Sequence, residues 1–174
     1  MRILVVYYSF EGNTRFIAEA IASAIGADVL QLRRVKEIGT HGFMKFFLGG
    51  REVLMRKKPK LHPFDKDPAD YDLLFIGTPV WSWNFAPPLR TFFKKVKLKG
   101  KKIALFCCCA GQKGRVFKKM KAELQGNEFV GEMDFIEPLK KGKDVARHRA
   151  AEWAEEIVNM SSRCKDSRIE SNSK

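Results

Sequence analysis

The segment SFEGNT, residues 9–14, combines polar side chains with a glycine between an apolar run and a helical pattern. Ser9 and Thr14 offer hydroxyls, and Gly12 lets backbone N–H groups approach an anion at a helix N-terminus. A loop that handles nucleoside triphosphates would have lysine where this chain has Asn13, and the GxGxxG of dinucleotide folds is also missing. The segment therefore predicts a site for a single phosphomonoester. A polar turn in which Ser or Asn caps the helix is the alternative.

A second candidate segment, TPVWSWNFAPP at residues 78–88, follows another apolar run. It places Trp81 and Trp83 close to a strand end, beside the polar side chains of Thr78 and Ser82. For a single tryptophan, covering the end of the core is the simpler interpretation. Next to a phosphate loop, two tryptophans favour a stacking surface, because a flat aromatic ligand with a phosphate tail would need both features.

Three consecutive cysteines lead into a third segment, CAGQKG at residues 109–114. Along a strand, Cys107 and Cys109 would share one face with their Cα atoms about 6.5 to 7 Å apart, at or beyond the limit for a disulfide. We expect Cys107 and Cys108 to pack as small apolar side chains and Cys109 to line a ligand site. A redox role for the Cys109 thiol is the weaker alternative. No catalytic residue and no metal-ligand set are predicted.

Each of these segments connects a predicted strand to a predicted helix. The predicted strands cover residues 2–8, 28–32, 72–77, 101–108 and 129–136. Apolar residues at helical spacing separate them, which predicts a doubly wound α/β fold with a five-stranded parallel sheet and helices on both faces. Ligands of such sheets bind at the carboxyl ends of the strands, so the segments after strands one, three and four should lie at one edge.

The length of 174 residues fits one domain, which we expect to cover residues 1–160 and to be followed by a polar, disordered tail at 161–174. No apolar run is long enough for a membrane span, and the N-terminus lacks a secretory signal, so we expect a soluble cytoplasmic protein. The net charge of +13 favours anionic ligands or acidic partners. We expect no specific nucleic-acid partner.

Taken together, SFEGNT, GTPVWSWNFAPPLRTFF and CAGQKG resemble the flavodoxin family, in the wider sense that includes flavodoxin-like NAD(P)H and quinone reductases. The resemblance implies the strand order 2-1-3-4-5 and one noncovalently bound FMN. By position, the FMN phosphate would be held by Ser9, Phe10, Glu11, Gly12, Asn13 and Thr14. The isoalloxazine would contact Thr78, Pro79, Val80, Trp81, Ser82, Trp83 and Asn84, with Trp81 or Trp83 stacked on it. Its pyrimidine edge would be flanked by Cys109, Ala110, Gly111 and Gln112.

Three functions stay open at this point. The chain is either an electron carrier that serves a redox partner protein or an FMN-dependent reductase that uses NAD(P)H and a quinone-type acceptor. A flavin-free basic binding module is the lesser alternative. Two features depart from electron-carrying flavodoxins, which tend to be acidic: the charge of +13 and the long segment at residues 39–64. We expect that segment to form a bent helix and a cap beside the flavin or a homodimer surface, in preference to a membrane-facing patch.

Overall fold

A computed structural model of the protein describes residues 1–36 and 50–171, with side chains as far as residue 163. The strands are β1 (Ile3–Tyr7), β2 (Asp28–Gln31), β3 (Leu73–Trp81), β4 (Asn84–Phe85), β5 (Lys102–Cys109) and β6 (Glu128–Ile136). The helices are α1 (Asn13–Ile25), α2 (Pro87–Lys95), α3 (Val116–Glu123) and α4 (Lys143–Ser171), and a short 3₁₀ turn covers Pro68–Asp70. Residues 50–54 are also helical.

Five of the strands form a parallel sheet in the order β2-β1-β3-β5-β6. This order confirms the predicted 2-1-3-4-5 arrangement, because the numbering differs only through β4. That two-residue strand pairs antiparallel with the end of β3, with Val80 opposite Phe85 and Trp81 opposite Asn84. The sequence segment after the third strand is therefore a tight hairpin, which was not predicted.

Both faces of the sheet are covered, which explains why its strands are continuous apolar runs. Neighbouring residues alternate between two cores. Val6 faces a core closed by α2 and α3, and Val5 faces a core closed by α1 and α4. Cys107 and Cys108 follow the same rule and are buried on opposite faces, as predicted for small apolar side chains.

The last helix extends beyond the expected domain end at residue 160. Ser161 is buried, and its backbone oxygen accepts a hydrogen bond of 2.7 Å from Lys102 Nζ at the start of β5. The domain boundary and the disordered tail at 161–174 stay predictions.

Residues 39–49 of the segment predicted as a bent helix, 39–64, lie outside the described residues. The rest is anchored to the sheet edge, since Arg34 and Leu61 form an antiparallel bridge. Within residues 1–36 and 50–171, no helix combines the length and the apolar character that crossing a bilayer requires.

Candidate functional site

A cavity of about 290 Å³ lies at the carboxyl ends of β1, β3 and β5. The predicted site residues that line it are Ser9, Phe10, Glu11, Asn13, Thr14, Pro79, Val80, Trp81, Ser82, Cys109 and Ala110. Those absent from its lining are Gly12, Thr78, Trp83, Asn84, Gly111 and Gln112. The fold thus brings residues of all three predicted segments into one cavity.

Three further residues line the cavity without having been predicted: Gly50, Cys108 and Glu137. Cys108 is predicted only to pack, yet it also lines the cavity, beside Cys109 at the end of β5. Glu137 follows β6, and the sequence predicts no site residue there. The sheet order provides the missing signal, since β6 lies beside β5 and its carboxyl end reaches the same edge.

The segment SFEGNT leads into α1 through Gly12, which has φ 89° and ψ −20°. This left-handed conformation favours glycine. No side chain caps the helix and its first turn has no acidic residue, so the alternative of a Ser or Asn cap is wrong. The N-terminal N–H groups of α1 and the positive end of its dipole are therefore left for an anion.

Two hydroxyls beside this helix end are buried without hydrogen-bond partners among the described residues, Ser9 Oγ and Thr14 Oγ1. A buried hydroxyl without a partner costs about 1–3 kcal/mol. Burial raises the pKa of the neighbouring Cys108 thiol, and the Thr14 hydroxyl opposes this with a smaller effect through its capacity to donate a hydrogen bond to a thiolate. A ligand with acceptor oxygens in this cavity would satisfy both hydroxyls.

Trp81 forms the aromatic wall of the cavity. Its ring makes edge contacts with Phe10 and Tyr8, at centroid distances of 5.5 Å and 5.9 Å and with interplanar angles of 87° in both cases. These contacts fix the orientation of the indole while leaving it partly exposed to the cavity. Of the two tryptophans proposed for stacking, Trp81 is the one placed to contact a ligand in this cavity.

Trp83 lies at the tip of the β3–β4 hairpin, and the residue is 64% exposed. Both turn residues have positive φ, 48° for Ser82 and 55° for Trp83, as in a type I′ turn, which usually has Asn and Gly at these positions. The indole packs on Gly114, where an added Cβ would lie 2.7 Å from the ring. Lys119 Nζ donates a 3.1 Å hydrogen bond to the Trp83 carbonyl. The hairpin tip is thus held against α3 and the loop before it.

The three consecutive cysteines, at residues 107–109, are free and buried. Burial raises the pKa of each thiol, to about 12 for Cys108. The Cys109 sulfur lies 3.4 Å from the carbonyl of Gly111, to which the thiol donates. Protonated thiols are poor nucleophiles, so this environment favours the lining role of Cys109 over a redox role.

Glu137 closes the cavity from the β6 side. Its N–H donates to the Cys109 carbonyl at 3.0 Å, and its φ of 41° turns the chain sharply after the strand. Its carboxylate pairs with Lys140 at 2.9 Å and with Lys141 at 3.5 Å, and the nearby ammonium groups lower the pKa of this carboxyl. The ionised carboxylate offers an acceptor to a ligand that carries hydroxyls.

A larger cleft of about 840 Å³ adjoins this cavity and shares Gly50 and Ser82 with it. It lies between the helical residues 50–54, the hairpin and α3. A molecule in this cleft would therefore lie beside a ligand bound in the smaller cavity.

The chain is similar to known proteins in sequence and in fold. Residues 2–157 match the sequence model of the Flavodoxin family. A flavoprotein of Lactobacillus acidophilus NCFM in complex with FMN is 24% identical, with a TM-score of 0.68 over 82% of this chain and 99% of the other. A Bacteroides uniformis ATCC 8492 protein is 18% identical, with a TM-score of 0.72 over 88% and 97%. The two-electron reduced flavodoxin of Megasphaera elsdenii is 24% identical, with a TM-score of 0.54 over 88% and 98%.

Proposed function

Because this chain belongs to the flavodoxin family, we propose that it binds one FMN noncovalently and acts as an electron-transfer flavoprotein. The observation that carries the proposal is the pair of buried, unpartnered hydroxyls, Ser9 Oγ and Thr14 Oγ1, beside the uncapped N-terminus of α1. A phosphomonoester suits this set of groups, since it brings several acceptor oxygens and a negative charge.

The rest of the cavity fits the other parts of FMN. The indole of Trp81 offers an apolar face to an aromatic ring system, and the backbone at Cys109 and Ala110 supplies polar groups at the end of β5. Glu137 provides an acceptor for hydroxyl groups. When bound, FMN supplies reversible one- or two-electron chemistry, and the protein contributes binding, orientation and electrostatics.

The test is a titration of the flavin-free protein with FMN and, in parallel, with riboflavin, followed by flavin fluorescence. We expect stoichiometric FMN binding and at least roughly ten-fold weaker riboflavin binding, because riboflavin lacks the phosphate that the α1 end would hold. Failure to bind FMN at micromolar concentrations would reject the proposal. Equal affinity for both flavins would reject the phosphate assignment while leaving flavin binding intact.

The reductase alternative is favoured by one observation, the 840 Å³ cleft that shares Gly50 and Ser82 with the proposed FMN cavity. An electron carrier that serves a partner protein needs no such space, whereas a reductase needs room for NAD(P)H or a quinone-type acceptor next to the flavin. Stopped-flow mixing of the FMN-loaded protein with NADH or NADPH separates the two. Rapid loss of flavin absorbance with either nucleotide would identify a reductase, and its absence with both nucleotides would reject the NAD(P)H-dependent reductase.

A further inference from the structure

The 840 Å³ cleft has a strongly positive lining. Four cationic side chains face it, Arg51, Arg56, Arg90 and Lys119, and the only carboxylate among its described lining residues is Glu123. Its volume is in the range typical of small-molecule sites, about 300–1,000 Å³. An excess of cations at the walls of a concave site favours an anionic occupant.

The single carboxylate is already engaged. Arg90, whose side chain is only 7% exposed, donates to Glu123 at 2.8 Å. Arg56 lies 3.8 Å from the same carboxylate oxygen. Two positive charges thus share one negative charge on this side of the cleft, and little of that negative charge is left for a third cation.

The other two cations have no carboxylate partner within the described part of the chain. Arg51 is exposed on the helical residues 50–54. Lys119 donates to the carbonyl of Trp83 at 3.1 Å, which orients its ammonium group without neutralising it. Arg51 and Lys119 are therefore available to pair with an anion in the cleft.

The remaining wall is apolar. Phe85 lies beneath the guanidinium of Arg90, with 4.8 Å between the ring centroid and Cζ, and it lines the cleft together with Val53 and Leu54. Phe85 and Val53 are buried, whereas Leu54 is 84% exposed and Ala122 is also exposed, so these last two give an occupant apolar surface to contact. The cleft therefore combines an apolar wall with unpaired positive charge.

We infer that this cleft is a binding site for a small organic anion whose apolar body lies against Leu54 and Ala122 and whose negative group lies near Arg51 and Lys119. Binding of such an anion does not depend on the flavin. The further identification of the cleft as the substrate site rests on the proposed function, because Gly50 and Ser82 place its occupant beside the FMN cavity.

Naphthalene-2-sulfonate is a suitable probe, since it has a flat apolar body, one negative charge and no redox chemistry that could complicate the measurement. Its affinity for the full chain is measured by calorimetry at fixed ionic strength, with and without FMN, and the neutral analogue 2-naphthol is measured in parallel. We expect saturable sulfonate binding with amide shifts in NMR spectra at the hairpin and α3. Arg51→Gln and Lys119→Gln should each weaken sulfonate binding about three- to five-fold and change 2-naphthol binding less than about two-fold.

Lys118→Gln is the matched control, because Lys118 is an exposed residue of the same helix and does not line the cleft. A similar loss of sulfonate affinity in all three variants would indicate general attraction to a cationic protein and would overturn the inference. The absence of sulfonate binding at millimolar concentrations would also overturn it. Normal FMN binding in that case would leave the proposed function standing, whereas sulfonate binding without FMN binding would reject the proposed function alone.

Discussion

Asn13 Oδ1 accepts a hydrogen bond of 3.1 Å from the backbone N–H of Leu139. The bond joins the first residue of α1 to the loop after β6. Asn13 stands where a nucleoside-triphosphate loop would have lysine, and here its amide oxygen connects two loops of the cavity. The Asn13 amide oxygen is occupied by this hydrogen bond, and a carboxylate oxygen at the same position can accept it as well. A charge change at Asn13 therefore tests the site without removing the contact.

Asn13→Asp should keep the fold and weaken FMN binding. The new carboxylate still accepts from Leu139 N–H, and a negative charge in the first turn stabilises a helix by about 0.3–1 kcal/mol. The same charge would repel the FMN phosphate, and we expect about ten-fold weaker FMN binding. Flavin titration with FMN and riboflavin, combined with urea unfolding of the flavin-free protein, measures both effects.

Ser23→Asp is the control for the charge itself, because Ser23 is exposed near the other end of α1. It should leave FMN affinity unchanged. If Asn13→Asp weakened riboflavin binding as much as FMN binding, the effect would be structural and the phosphate would not lie at this helix end.

Thr14→Val should raise the stability of the flavin-free protein and lower its affinity for FMN. Its Oγ1 is buried without a hydrogen-bond partner, so replacing the hydroxyl by a methyl group should raise the free energy of unfolding of the flavin-free protein by about 1 kcal/mol. FMN affinity should fall about five- to ten-fold if the hydroxyl donates to the phosphate. Urea unfolding and fluorescence titration are the measurements.

Thr78→Val serves as the comparison, because Thr78 is equally buried but its hydroxyl is satisfied. The Thr78 hydroxyl accepts from Ala86 N–H at 3.0 Å and donates to the Pro79 carbonyl at 2.9 Å. This variant should lose about 1–3 kcal/mol of stability. A loss of stability in both variants would show that Thr14 is satisfied in the flavin-free protein.

The sheet and the meeting of three segments at its edge could be predicted because they depend on local patterns and on general rules of parallel sheets. The choice between Trp81 and Trp83 could not, since it depends on a hairpin whose turn residues, Ser82 and Trp83, adopt positive φ without glycine. Hairpin prediction relies on Asn-Gly-like pairs, which are absent here. Glu137 was missed because its role follows from strand order and not from its own neighbours in the sequence.

Local sequence patterns could not predict the N-terminus of α1 or the second cleft either. Ser and Asn in SFEGNT suggested a side-chain cap, yet Asn13 bonds to Leu139, a residue that only the folded sheet brings near. The cleft depends on Arg34, which is near the end of β2 and fixes the helical residues 50–54 through a long-range ion pair. Pairing of this kind between partly buried charges is set by tertiary structure.

Arg34→Met should destabilise the protein by about 3–5 kcal/mol, because it leaves the partly buried carboxylate of Glu52 without its main partner. Arg34 donates to both carboxylate oxygens at 2.8 Å and 3.0 Å, and the two side chains are only 6% and 17% exposed. Urea unfolding gives the total loss. Hydrogen exchange should show the largest increase around residues 50–54.

Arg15→Met is the control, since Arg15 and Glu19 form an exposed ion pair at 3.3 Å on α1. It should cost less than about 1 kcal/mol. The double variant Arg34→Met/Glu52→Leu should recover most of the stability, because both charges are removed together. Equal losses for Arg34→Met and Arg15→Met would mean that the buried pair has no special part in holding residues 50–54.

The Cys108 thiol should make the stability of the protein fall at alkaline pH. Burial raises the pKa of this thiol from 9.0 to about 12. Between these two values the unfolded chain loses the thiol proton and the folded chain keeps it, so ionisation favours the unfolded state. The contribution of the protonated Cys108 thiol to the free energy of unfolding is thus fully present below about pH 9. Above this pH the contribution falls by about 1.4 kcal/mol per pH unit.

Comparison with Cys108→Ala isolates this effect, because other titrating groups are common to both proteins and the packing loss in the variant does not depend on pH. The difference in free energy of unfolding between the native chain and Cys108→Ala should be constant from pH 7 to 8 and should shrink by about 2 kcal/mol at pH 10.5. Urea unfolding under reducing conditions at each pH provides the values. A difference that stays constant to pH 10.5 would mean that the folded protein admits the thiolate, and Cys108 would then face a more polar cavity than its buried position indicates.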